Sequence, residues 1–344
     1  MALDLSPLPE LLLPWFETAK RDLPWRKDRE PYHVWLSEIM LQQTRVEAVK
    51  GYYSRFLTRC PTIEALSQIE ETELLKLWEG LGYYSRARNL QRAARVIMEQ
   101  MGGAFPREYS AIRALPGIGD YTAGAISSIC FNQRTPAVDG NVLRVVSRFC
   151  DYHGCTDTPG VKKEIGHALK EVYPEQAGSF TQALMELGAI VCLPNGAPLC
   201  GSCPLNGLCQ ARKMGTIDDL PVRAEKKKRR QEELTVFLLT ADGKIALGRR
   251  PETGLLAGLY EFPNLPGTLS TDEIIKTAEN WGLHPKYLEK TMGRKHIFTH
   301  IQWNMTGVRL HCGSKNLDFL WVKPEELKER YALPTAFRQF VGDF

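Results

Sequence analysis

The hydrophobic pattern of this chain changes period once, and that change dictates how many cores it can build. From Leu8 to about Ala211 the apolar residues recur at helical spacing, as in Leu74, Leu75, Leu77, Trp78 and Leu81, and β-branched alternating runs are few. A basic stretch then follows, with Arg223, Lys226, Lys227, Lys228, Arg229 and Arg230 and no apolar face. It reads as a solvated linker, with transient phosphate contact as the alternative. Beyond it, Leu234 to Leu239, Lys244 to Gly248, Gly258 to Phe262 and Ile301 to Leu310 read as strands, separated by turn signals at Asp242-Gly243, Pro251 and Pro263-Asn264. Thr271 to Trp281 and Pro324 to Glu329 read as helices, with Thr271 and Pro324 placed as helix starts. A chain of 344 residues also exceeds the roughly 150 to 200 that one core organises. The expected class is therefore multidomain: an all-α domain over 1–217, a basic linker over 218–233 and an α+β domain over 234–344.

Composition matters mainly for what it excludes. Hydrophobic residues at 43% and charged residues at 24% are ordinary globular values, against a disordered, collagenous or membrane-embedded chain. No apolar run approaches the roughly 20 residues that span a bilayer, and no leader is read around Leu11-Leu12-Leu13, so a cytoplasmic location is expected. The net charge of +4 permits contact with a polyanion without demanding it.

Four local features carry chemistry. Between two helical stretches, Leu115-Pro116-Gly117-Ile118-Gly119-Asp120-Tyr121 forms a tight glycine turn. Gly117 and Gly119 can take positive φ and have no Cβ, so backbone N–H groups can approach a phosphate at the following helix start. A plain helix-helix turn capped by Asp120 is the alternative. Four of the nine cysteines, Cys192, Cys200, Cys203 and Cys209, are separated by gaps of seven, two and five residues. Such crowding in a loop suggests a metal site, and the spacing alone leaves zinc and an iron-sulfur cluster open. Glu38 sits in a helical segment with Val34, Trp35 and Leu41 three or four residues away. A carboxyl in that apolar setting is expected to have a raised pKa and to act as an acid near neutrality, with a plain carboxylate at the helix surface as the alternative. Asp139 follows Pro136-Ala137-Val138 where a new helix begins, so it reads as an N-cap that the helix terminus keeps ionised.

These pieces, in this order, resemble the helix-hairpin-helix DNA glycosylase superfamily with an iron-sulfur cluster. Leu23-Pro24-Trp25-Arg26, Trp35-Leu36-Ser37-Glu38, Gly80-Leu81-Gly82-Tyr83-Tyr84, Val138-Asp139-Gly140-Asn141-Val142 and the appended second domain narrow the resemblance to MutY-type adenine glycosylases. The resemblance implies a helix-hairpin-helix at about 110–130, with Gly117 and Gly119 in its turn, and a 4Fe-4S cluster held by the cysteines of 192–209. It implies excision of adenine mispaired with 8-oxoguanine or guanine in double-stranded DNA, by a monomer associated with the nucleoid. Glu38 would protonate adenine and then help activate water, while Asp139 stabilises the oxocarbenium-like sugar, a division familiar from glycoside hydrolysis. Tyr121 and Asn141 match residues that support the two carboxylates, and Arg26 and Gln182 match the adenine pocket. Because the base must leave the stack, Gln43, Leu81 and Tyr83 match the wedge that fills the gap. Bifunctional relatives carry a lysine at the position of Tyr121, so base excision with little strand cleavage is expected.

The second domain resembles the Nudix fold through Leu247-Gly248-Arg249-Arg250-Pro251 and Gly258-Leu259-Tyr260-Glu261-Phe262-Pro263, but the glutamate-rich magnesium helix is not legible in Glu273 to Glu279. Hydrolysis there is not expected. The family's Phe-Ser-His reader of oxidised guanine stands here as Phe298-Thr299-His300, which keeps the hydroxyl that can accept from the N7 hydrogen of the oxidised base. The gap of seven after Cys192, where the family usually has six, is a further departure. Rival readings are an endonuclease III-like pyrimidine-lesion enzyme, a catalytically silent lesion-binding protein and a nucleotide-cleaning hydrolase.

Overall fold

The computed structural model describes residues 3–225 and 228–344, so Lys226 and Lys227 of the basic stretch lie outside the described residues. The chain forms two compact units, one of Met1–Gln68 and Asn89–Glu225, the other of Ile69–Arg88 and Lys226–Phe344. Among the described residues no helix is long and apolar enough to cross a membrane.

The first unit is helical. Its helix Pro31–Leu41 begins with proline at a position whose N–H would be unpaired anyway. Tyr32 and every residue from Val34 to Met40 are buried, which makes this a central helix apolar nearly all round. Ser37 survives there because its hydroxyl donates to the Val34 carbonyl at 2.8 Å. The helix Gly140–Cys150 is sided instead. Val142, Val145, Val146 and Phe149 join Leu8, Leu12 and Phe16 of the helix Leu8–Ala19 and Phe180, Leu184 and Leu187 of the helix Ala177–Ile190 in one core. Each such side chain contributes about 1.5 to 3 kcal/mol when fully buried. A Cβ at Gly188 would fall 2.5 Å from the Cβ of Asn141, so the bare backbone there lets two helices close on Asn141.

Between the helices Tyr109–Ala114 and Asp120–Phe131, Gly117 takes φ +77°, as the turn requires. Gly119 does not. It is the N-cap, at φ −94° and ψ 176°, because the residue before a helix is extended. Asp120 is not the cap; it accepts from Arg113 Nε at 2.5 Å.

The second unit is built on β1 (Arg230–Ala241), β2 (Lys244–Arg249), β3 (Tyr260–Glu261), β4 (Asn264–Pro266), β5 (Pro285–Ile297), β6 (Ile301–Cys312) and β7 (Leu320–Val322). The sheet runs β3-β2-β1-β6-β5, with β4 on β1 and β7 on β2. The β1–β6 pair is parallel and the other pairs are antiparallel. Both faces of β1 are covered, which explains its near-continuous apolar run. Leu234, Val236 and Leu238 pack with Trp303, Met305, Phe337 and Phe340 on one face. Phe237 and Leu239 pack with Val308, Leu310, and Ile274 and Ala278 of the helix Thr271–Asn280 on the other. Ser270 caps that helix through a reciprocal pair of bonds with Glu273.

Other features differ from the sequence expectation, among them β4, which begins at Asn264 where a turn was expected. Strand β1 starts at Arg230, inside the range read as linker, because the ladder to β6 pairs backbone and needs no apolar side chain. Strand β5 carried no apolar alternation: it is an edge strand studded with Lys286, Lys290, Arg294 and Lys295. The segment Ile69–Arg88, expected in the first domain, belongs to the second unit. Its bonds there join residues far apart in sequence: Lys76 Nζ to the Tyr331 carbonyl at 3.3 Å, Leu333 N–H to Glu79 at 2.9 Å, and Arg88 to the Ala257 carbonyl at 2.7 Å.

Candidate active site

A cleft of about 1080 Å³ opens into the first unit, and Glu38, Tyr121, Asp139, Asn141, Arg26, Gln182, Gln43, Gly117 and Gly119 all line it. Residues that the sequence placed on separate motifs thus share one cavity. Glu38 projects from the buried helix Pro31–Leu41 and is 7% exposed. Burial pushes its pKa up to about 7; the hydrogen bond from Tyr121 pulls the other way, the charge of Asp139 raises it and Arg26 lowers it. The Tyr121 hydroxyl donates to Glu38 Oε2 at 2.6 Å and its own pKa is raised, first by burial and then by the two carboxylates, so it remains a donor.

Asp139 is the N-cap of the helix Gly140–Cys150. Its Oδ1 accepts from the Val142 N–H at 2.8 Å and its Oδ2 from Asn141 Nδ2 at 2.7 Å. The helix terminus was expected to hold this carboxylate low. Burial outweighs it, and the net direction is upward, opposed by the bonds from Val142 and Asn141. Asn141 is fixed in turn by Arg144, which donates to its Oδ1 at 2.8 Å, to the Gly188 carbonyl at 2.8 Å and to the Cys192 carbonyl at 2.7 Å. The site therefore holds one buried carboxyl group, Glu38, and one half-buried, Asp139, each restrained by a named partner, at the wall of a cavity open to a ligand.

Arg26 has a partner that no local motif announced. Glu186, 1% exposed, accepts from Arg26 at 2.8 Å and from both Nε and NH2 of Arg21 at 2.8 Å, and also from the Arg21 backbone N–H at 2.9 Å. Burial acts to raise its pKa, but these arginines outweigh it and hold it at about 2. Gln182 lies one turn earlier on the same helix and donates to the Gly178 carbonyl at 3.2 Å. Gln43 lies on the cleft in a left-handed backbone conformation, φ +58°.

The remaining expected residues lie elsewhere. Leu81 and Tyr83 are in the second unit, where Leu81 is buried at 7% exposure and Tyr83 is 47% exposed at φ +46°. Tyr84 packs inward at 5%. Phe298, Thr299 and His300 form the turn between β5 and β6, closed by the Phe298 N–H to the Ile301 carbonyl at 2.8 Å. Phe298 stands edge-on to Trp303, while Thr299 and His300 are exposed. Within this unit the hydroxyls of Tyr83 and Thr299 share a hydrogen bond of 2.8 Å.

Cys192, Cys200, Cys203 and Cys209 surround one small cavity of about 30 Å³ in the first unit. Among the described residues no three His, Cys, Asp or Glu side chains are arranged for a single metal ion. Burial pushes the Cys203 thiol up to about 11, and the Cys192, Cys209 and Cys200 thiols add to the shift. Four cysteine sulfurs around one cavity are the kind of donors that a metal centre uses, zinc or an iron-sulfur cluster alike. Arg148 donates to Cys192 Sγ at 3.4 Å.

Residues 36–174 match the HhH-GPD superfamily of base excision DNA repair proteins, and residues 235–342 match the NUDIX domain family. The chain is 36% identical to the human adenine DNA glycosylase over 85% of this chain and 64% of that protein, so it spans slightly less than two thirds of the human relative. It is 35% identical to the rat adenine DNA glycosylase, over 87% of this chain and 69% of that one. It is 34% identical to the adenine DNA glycosylase of Buchnera aphidicola subsp. Schizaphis graminum, over 85% and 84%. A thermostable thymine-DNA glycosylase superposes with TM-score 0.54 at 30% identity, covering 60% of this chain and 94% of that structure. A trapped endonuclease III–DNA covalent intermediate superposes with TM-score 0.51 at 25% identity over the same shares. The cleft with its two restrained carboxyl groups and these matches over both units have one reading: the chain belongs to the adenine DNA glycosylase family of base excision DNA repair proteins.

Proposed function

We propose that this enzyme hydrolyses the N-glycosidic bond of adenine mispaired with 8-oxoguanine or guanine in double-stranded DNA. The observation that carries the reading is Glu38: a carboxyl with pKa about 7, beside Asp139, at the wall of a cleft with room for a base turned out of the helix. Neutral Glu38 gives its proton to adenine N7, the bond from the sugar to adenine N9 breaks, and the electron pair leaves with the base. The charge of Asp139 stabilises the oxocarbenium-like sugar, and Glu38, now a carboxylate, takes a proton from the water that adds to it. Tyr121 and Asn141 position the two carboxyl groups, and Arg26 and Gln182 meet the adenine edge. Tyr121 offers no amine to attack the sugar, so the enzyme excises without cutting the strand.

The other residues follow the same reading. Gly117 and Gly119 bring backbone N–H groups to a phosphate, and Gln43, Leu81 and Tyr83 fill the vacated stack. Phe298, Thr299 and His300 read the oxidised guanine, so 1–217 carries chemistry and 234–344 carries recognition, joined by 218–233. Cys192, Cys200, Cys203 and Cys209 hold a 4Fe-4S cluster, which when bound supplies a four-thiolate staple and a one-electron centre. We infer action as a monomer in the cytoplasm, on nucleoid DNA. The test is incubation with duplexes carrying adenine opposite 8-oxoguanine, guanine or thymine, and with pyrimidine lesions. Preferential loss of a damaged pyrimidine would overturn the reading in favour of an endonuclease III-like activity. Purified protein should be yellow-brown with broad visible absorption, and a colourless, zinc-containing preparation of full activity would rule the cluster out.

A further inference from the structure

The cleft has a second wall that this chemistry leaves idle. The helix Pro159–Val172 buries Ile165 and Leu169. It turns Lys162, Lys163, His167 and Lys170 outward, all exposed and all lining the cleft that holds Glu38 and Asp139. Positions 163, 167 and 170 are four and three residues apart, so they share one helical face. Gly166 seats that face beside the catalytic carboxylate: a Cβ there would lie 3.8 Å from Cγ2 of Val138, the neighbour of Asp139.

The charge on this wall is uncommitted. Arg21 and Arg26, the other cations of the cleft, are spent on Glu186, whereas among the described residues Lys162, Lys163 and Lys170 have no carboxylate partner. Glu164, on the same helix, is engaged by the Tyr152 hydroxyl at 2.6 Å. A helix start ordinarily gathers acidic side chains, but the first turn here has none and two lysines follow it, so their charge adds to the positive end of the helix. An anion is the complement of that wall. The anions nearest a sugar held at Asp139 are the phosphates on either side of it.

We propose that Lys162, Lys163 and Lys170 grip the backbone phosphates of the strand that carries the target nucleotide. This rests on the DNA reading above and extends it to a surface outside the glycine turn. Such contacts are independent of sequence and released by salt, each lowering the slope of log affinity against log salt by about 0.9. The test uses full-length protein with Lys162→Gln, Lys163→Gln and Lys170→Gln, singly and together. Affinity for an undamaged duplex and an adenine-mismatch duplex is measured from about 50 to 200 mM salt. The triple variant should lose about 2 to 3 from the slope and weaken both duplexes by one factor, on the order of 10² near 0.1 M salt. An unchanged slope, or weakening confined to the mismatch duplex, overturns the proposal. If the triple variant melts early, the single variants decide it, each by a slope loss of about 0.9 or none. Binding to undamaged DNA does not depend on excision, so failure to release adenine would sink the proposed function and leave this surface to be judged by its slope.

Discussion

The cleft of the first unit and the β5–β6 turn of the second hold opposite kinds of polar group. In the cleft, Glu38 is buried, its pKa is pushed up to about 7, and its hydrogen-bond partner Tyr121 is half-buried. On the turn, Thr299 and His300 are exposed and the backbone is pinned by one hydrogen bond between its ends. Under the proposed function the contrast follows from two tasks. A proton donor for neutral pH needs a carboxyl that water does not stabilise as an anion. The proposed reader needs a hydroxyl presented to solvent on a stiff support, here one that the Tyr83 hydroxyl also holds at 2.8 Å.

The largest effect should come from Glu38→Gln, which keeps shape and hydrogen bonding but removes the transferable proton. Single-turnover excision should fall by about 10² to 10⁴ while mismatch binding survives. Near-normal excision would mean another group protonates the base, and the contrast between the two regions would collapse.

Next is pH. As the proposed acid, Glu38 works only while protonated, so excision should decline about tenfold per unit as pH rises beyond about 7, and the Glu38→Gln variant should lack that limb. The sign for stability is the same. A raised folded pKa stabilises fully below the unfolded value, and that contribution is lost as pH rises through about 7. Preference between partner bases should not share this limb. If rates on both duplexes stay flat from pH 6 to 9, Glu38 is not the titrating acid.

Smaller again is the effect of replacing Thr299 and His300 with alanine. Preference for oxidised guanine over guanine should drop by about 1 to 3 kcal/mol, with adenine excision retained. An unchanged ratio of rates on the two duplexes would show that the turn is not the reader. The smallest is Tyr83→Phe, which removes only the partner of the Thr299 hydroxyl. A shift in the same ratio of about 0.5 to 1.5 kcal/mol is expected, and no shift would mean that Thr299 needs no positioning.

Much of this was legible in sequence, for local reasons. Glu38 and Asp139 each sit in a short segment whose neighbours already dictate burial or a helix start, whereas Tyr121 and Asn141 came only from the family resemblance; the structure gathers all four on one cleft. Strands β1 and β6 carry their apolar residues openly. Glu186 was invisible because its partners, Arg21 and Arg26, lie 165 and 160 residues away and leave no local trace. Arg144 was hidden for the same reason, as was the membership of Ile69–Arg88 in the second unit. Strand β5 escaped because an edge strand needs no apolar face, and β7 because three residues carry no period.

The missing side chain at Gly188 bears on how variants of this enzyme should be weighed. Ranking substitutions by their distance from the reacting sugar would pass over position 188, which does not line the cleft. Yet even a methyl group there meets Asn141, the residue that donates to Asp139. A change at 188 would leave the composition of the active site intact while tilting one of its two carboxyl groups. Under the proposed function, a substitution at 188 should thus act through the helix contact that holds Asn141 and not through nearness to the sugar.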